Sequence, residues 1–134
     1  MRKIRVALTV FAIACGGSDT TTPALPSAVG TWNLSTINGT ALPFTVDQTG
    51  SSRSEVIGGS LSIVAGGSFT FSVTGREIVN GVVSTGSSSA AGTFTTNGTA
   101  ITLRSTSNGV TLSGSFSANS LTLAENWIAY MFTR

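Results

Sequence analysis

The chain has 134 residues, enough for one domain, and only 9 % of them are charged, where a globular chain commonly has about 25 %. Seven Lys/Arg stand against five Asp/Glu, and there is no histidine. Arg2, Lys3 and Arg5 crowd the N-terminus; beyond them lie only Arg53, Arg76, Arg104 and Arg134, too scattered for the basic patch that nucleic-acid binding requires.

The first element is an N-terminal signal, residues 1–14. A basic head, Met1 to Arg5, precedes Val6–Ala14, which is apolar except for Thr9. That stretch has the length and flanks of a secretory signal and is too short to span a bilayer, which takes about 20 residues. Cys15, the only cysteine, follows directly. It has no partner for a disulfide within the chain and no histidine to activate it as a nucleophile. Ala12-Ile13-Ala14-Cys15 resembles the lipobox of bacterial lipoproteins, with Ala12 where that family prefers Leu. The resemblance implies cleavage before Cys15, lipidation of its thiol and attachment to a membrane of the cell envelope. Gly16 rather than Asp after the cysteine implies the outer membrane. An unlipidated, secreted protein is the alternative. Residues 15–28 begin Cys15-Gly16-Gly17-Ser18 and have too little apolar content to pack, so they read as a tether.

From residue 29 onward the pattern is that of an all-β domain. Trp32-Asn33-Leu34, Leu61-Ser62-Ile63, Phe69-Thr70-Phe71-Ser72-Val73 and Thr93-Phe94-Thr95 alternate apolar with polar. So do Ile101-Thr102-Leu103, Val110-Thr111-Leu112 and Leu121-Thr122-Leu123. Period two places one face in a core and the other in water. Asn80-Gly81, Asn97-Gly98 and Asn108-Gly109 punctuate the runs and suit type I′ hairpin turns. No stretch has helical periodicity with caps. The expectation is an antiparallel up-and-down meander of roughly eight strands closing into a barrel, which removes its own edges. The last run, Trp127–Phe132, is apolar on both faces. Its outer side, Trp127, Ala129 and Met131, is expected either as an exposed patch or beneath Leu42–Val46 crossing the barrel mouth.

Gly30-Thr31-Trp32, the turn Gly66-Gly67-Ser68-Phe69-Thr70-Phe71 and the ending Tyr130-Met131-Phe132-Thr133-Arg134 resemble small bacterial lipocalin-like lipoproteins. The resemblance covers about residues 28–134 and lacks that fold's second motif and C-terminal helix. It implies a lipocalin-like barrel that takes a small apolar ligand. It also implies a pairing of Trp32 with Arg134 at the closed end, which suits cation–π chemistry.

An eight-stranded barrel is either filled by side chains or holds one small ligand. The inward aromatics Phe69, Phe71, Phe94, Phe116 and Tyr130 are the candidate ligand walls; Gly59, Gly75, Gly92 and Gly114 leave room or permit bends. Arg76 and Arg104 fall out of phase with their apolar neighbours and are expected to face water. Glu77 is in phase but near a strand end. No cofactor, metal site or catalytic residue is expected: carboxylates are sparse and serines have no histidine to activate them. The leading expectation is a non-enzymatic, lipid-anchored envelope protein that binds a small apolar ligand. The alternative is a filled barrel acting through its surface, at residues 127–131 and the loop 48–55, as an inhibitor, adhesion or assembly partner.

Overall fold

The computed structural model describes residues 24–134. The expected signal of residues 1–14, Cys15 and most of the expected tether lie outside the described residues. Every regular element among the described residues is a strand. They run β1 (Gly30–Ile37), β2 (Thr40–Ala41), β3 (Phe44–Thr49), β4 (Ser52–Val64) and β5 (Ser68–Val79). They continue as β6 (Val82–Asn97), β7 (Ala100–Ser105), β8 (Thr111–Phe116), β9 (Ser120–Glu125) and β10 (Ile128–Thr133).

From β4 to β10 each strand pairs antiparallel with the next. Strand β1 closes the ring. It pairs with β10 through Leu34 and Phe132, and with β4 through Trp32 and Leu61. The result is an antiparallel barrel of eight strands with up-and-down neighbours, as the alternation and hairpin spacing led one to expect. Strands β2 and β3 stand outside the ring. The first folds back on the end of β1; the second takes up the half of β4 that β1 has left.

Strands β4, β5 and β6 have 13, 12 and 16 residues, about twice the others. Their far halves, with β3, extend past the ring as a four-stranded sheet at one rim. That rim is the mouth. It also carries the β1–β2, β7–β8 and β9–β10 turns.

The core sits toward the other end. Trp32, Leu61, Ile63, Leu103, Leu123 and Phe132 are fully or almost fully buried there. Each follows from the two-residue period of its strand, and each contributes roughly 1.5–3 kcal/mol on burial. Ser27 and Ala28 belong to this end too, although composition places them in the tether. Ala28 is buried, and the carbonyl of Ser27 accepts a hydrogen bond from Arg134.

The turns correct one expectation. Asn38-Gly39 and Asn80-Gly81 have positive φ at both residues, as a type I′ turn requires. At Asn97-Gly98 and Asn108-Gly109 only the glycine does. Asn97 still pairs with Ala100, so the turn there is Gly98-Thr99. Asn108-Gly109 lies inside the longer β7–β8 connection, where the Gly109 N–H reaches the Ser105 carbonyl.

Two further expectations change. Residues 48–55 are not a loop: Gln48 pairs with Arg53 and Thr49 with Ser52 across the β3–β4 turn. Leu42–Val46 does not cover the outer side of β10. Phe44 starts a strand on β4, and Met131 remains 41 % exposed. Trp127 leaves the β10 surface altogether. It occupies the β9–β10 turn beside Asn126, whose φ is 49°, and lies 80 % exposed at the mouth.

Gly92 and Gly114 serve close approach rather than room for a ligand. A Cβ on Gly92 would overlap the carbonyl of Arg104, and one on Gly114 the carbonyl of Thr122. Neighbouring backbones press against these two positions, so only hydrogen fits. At Gly59 a Cβ would meet Leu34 and the Ser72 carbonyl at 3.0 Å, whereas at Gly75 its nearest neighbour stands at 3.5 Å.

Candidate functional site at the barrel mouth

Above the packed core the interior is incompletely filled. Phe71 meets Tyr130 edge to face, with ring centroids 5.6 Å apart, and Phe132 likewise at 5.5 Å. This cluster is the upper boundary of the core. Strand phase produces it: Phe71 faces in from β5, Tyr130 and Phe132 from β10 across the ring.

Tyr130 divides the space above. On one side a cavity of about 240 Å³ lies among Ile37, Phe44, Val46, Val56, Val73 and Trp127. On the other a cavity of about 160 Å³ lies among Phe69, Phe71, Val110, Leu112 and Glu125. The larger one continues outward. Val46 and Val56 also border a shallow groove on the inner face of the projecting sheet, where Gly75 and Gly86 leave the floor bare. Ser54, Glu77 and Ser84 stand along that groove, and the paired Glu55 and Arg76 also border it.

The mouth therefore brings together Phe69, Phe71 and Tyr130 of the five expected ligand-wall aromatics. Phe94 and Phe116 are elsewhere. Phe94 pairs with Leu103 near the β6–β7 turn, and Phe116 ends β8 with its N–H on the Thr99 carbonyl. Both face the N-terminal segment Leu25–Val29 at the opposite end. Inward phase alone does not say how far along the barrel a residue sits, and that distance separates these two from the mouth.

Sequence reading missed Ile37, Phe44, Val46, Val56 and Trp127 as lining residues. The signal for Phe44 and Val46 was present in their alternation. The β3–β4 register slips between Thr45 and Asp47, and a second slip lies between Val56 and Gly58. Each inserts a residue that breaks a period-two count.

The polar chemistry of the mouth is sparse. The Asn38 side chain is committed, its Oδ1 accepting the Ala129 N–H at 2.7 Å. Glu125 shares inward phase with Leu121 and Leu123 and faces the second cavity. Burial raises the Tyr130 hydroxyl above its ordinary 10.0, and the Glu125 carboxylate adds to the rise. The ring is thus a neutral hydrogen-bonding group at physiological pH.

At the closed end the Arg134 guanidinium lies 4.0 Å from the centre of the Trp32 ring. It also donates to the carbonyls of Ser27, Val29 and Ala118. Trp32 itself donates from Nε1 to the Ala28 carbonyl at 2.8 Å. One arginine and one tryptophan thus tie the incoming chain, the β8–β9 turn and the last strand together.

A third polar cluster lies on the outer face of the projecting sheet. Glu55, 7 % exposed, accepts from Arg76 Nε at 2.8 Å and from Arg76 Nη2. Arg53 Nε lies 3.0 Å from its other oxygen, an ionic contact without hydrogen-bond alignment. Arg76 and Arg104 do stand on outward phases, although Arg76 is only about one-third exposed because it folds onto Glu55.

Comparisons with protein-family models, curated proteins and solved structures find no match to this chain.

Proposed function

We propose that the protein is a lipid-anchored component of the bacterial cell envelope whose lipocalin-like barrel binds a small apolar molecule at its mouth. The supporting observation is the cavity of about 240 Å³ beside Tyr130, walled by aliphatic and aromatic side chains and open toward Trp127. Apolar walls around a void are the usual character of small-molecule sites. Binding would proceed by removing those walls and the ligand from water together, at roughly 25 cal/mol for each Å² buried. The mouth turns would set access, and the packed core with its Trp32–Arg134 tie would hold the barrel fixed while the mouth adapts. No step of bond chemistry belongs to this reading.

The sequence supports the anchoring half. A lipidated Cys15 followed by a short polar tether would hold the barrel near the outer membrane, and several acyl chains attach durably where one does not. Replacing Cys15 by Ser should move the protein from the membrane to the soluble fraction of a bacterial host.

The binding half is tested with N-phenyl-1-naphthylamine, a neutral dye that brightens in apolar surroundings. The full chain should enhance its emission saturably, and Val73→Phe, which fills the cavity, should abolish most of the enhancement. Equal enhancement by wild type and variant would remove this cavity as the site.

A second reading has one specific observation in its favour. From Val82 to Ala90, β6 pairs on one side only, and Val82 and Val83 are exposed at the tip. An unpaired edge of this length can accept a strand from another protein. A barrel acting through its surface would use that edge.

A further inference from the structure

The described residues carry four arginines and four carboxylates, and the barrel sorts them by face. Strand register decides the sorting, because residues directly opposite on neighbouring strands project to the same side. On the projecting sheet Asp47, Ser54, Glu77 and Ser84 form one such row. Ser54 and Glu77 flank the row of Val56 and Gly75, which leads down through Val73 into the mouth. Asp47 and Glu77 therefore stand on the inner face, above the apolar cavity. Glu125 faces inward from β9 at the opposite rim, bordering the second cavity.

One arginine, Arg76, borders the groove beside Glu77, and its guanidinium is already paired with Glu55. Arg53 and Arg76 stand on the outer face of the same sheet, clamped on Glu55. Arg104 alternates with the buried Ile101 and Leu103 and so points outward. Arg134 is bound over Trp32 at the far end. The mouth thus presents three carboxylates above apolar walls, while the arginine that borders its groove is taken up by Glu55, in a domain whose described side chains balance overall.

We propose that the ligand is a cationic amphiphile: an apolar body that enters the mouth beside Tyr130, carrying an ammonium or related cation that the carboxylate-bearing rim attracts. This deepens the ligand-binding reading and rests on it. A fatty acid or another anionic lipid is disfavoured on the same grounds, since its head would enter a rim of like charge whose bordering guanidinium, Arg76, is held by Glu55.

Three matched probes test this: 4-phenylbutylamine, 4-phenylbutan-1-ol and 4-phenylbutyrate, which share an apolar body and differ in head-group charge. Each is titrated at neutral pH and low salt against the full chain, with tryptophan emission from the mouth residue Trp127 as the readout. The amine should bind about tenfold or more tighter than the carboxylate, with the alcohol between them. Raising the ionic strength to about 0.5 M should narrow the gap, because screened rim charges lose their reach. In the double variant Glu77→Gln, Glu125→Gln the order should collapse toward the alcohol's affinity. If the alcohol binds and the carboxylate binds as tightly as the amine, the charge inference is overturned and the apolar site stands. If none of the three binds, the ligand-binding reading itself fails and takes this inference with it.

Discussion

Arg134 concentrates more interactions than any other exposed side chain of the closed end. It stacks on Trp32 and donates to three carbonyls from two separate segments. Replacing it by Met keeps the stem and removes the charge and the donors. We expect a loss of about 1–3 kcal/mol, read as a lower urea midpoint with an unchanged slope. Arg134→Lys should recover little of it, because an ammonium cannot spread over the indole and reach the carbonyls together. Tyr130 makes a different claim. Its hydroxyl is held above 10.0 in the folded barrel by burial and by Glu125. The unfolded chain therefore gives up this proton first. The stabilisation is complete below that pH and is lost as the pH rises through the folded value. Wild type should lose stability more steeply than Tyr130→Phe above about pH 10, in urea unfolding followed across alkaline pH. Parallel decline in both proteins would mean that burial of the phenol has no energetic consequence.

Strands that cross at close quarters need their glycines. Gly92→Ala and Gly114→Ala each drive a methyl into a neighbouring carbonyl. Each should cost more than about 2 kcal/mol, since backbone on both sides resists displacement. Gly75→Ala, with its nearest neighbour at 3.5 Å, should change stability by less than about 1 kcal/mol. Thermal unfolding of the three variants side by side checks the ranking. These positions also show what was legible in the sequence and what was not. Period-two alternation revealed segments of the ring strands and their inward faces, because burial on one side of a pleat writes itself directly into residue type, but not the projecting halves of β4 and β6, which lack that burial. Of the three expected Asn-Gly turns, only Asn80-Gly81 has positive φ at both residues. The role of Gly92 and Gly114 was hidden, since a glycine that admits a ligand and one that admits a neighbouring backbone look alike in a string of letters. So was the β3 strand at the mouth. Its register slips defeat simple counting, and its pairing partner on β4 is fixed only once β1 has turned away to close the ring.

At the scale of the whole molecule the two ends of the barrel have opposite characters. One is packed, tied by Arg134 and plugged by the segment leading into β1. The other is apolar, incompletely filled and rimmed with carboxylates. Alternation predicted the closed ring but not this polarity, because it orders residues across the barrel wall and is blind to height along the axis. Phe94 and Phe116 illustrate the consequence: both face inward and neither reaches the mouth. The central claim is that the mouth holds a small molecule. Native mass spectrometry of the full chain, recovered from a bacterial host in mild detergent and compared with its denatured mass, tests it most directly. The account predicts an added mass that vanishes on denaturation, is reduced in Val73→Phe, and returns when the stripped protein meets an envelope lipid extract. A chain that is bare as isolated and remains bare after that exposure would contradict it, and would shift attention to the unpaired edge of β6.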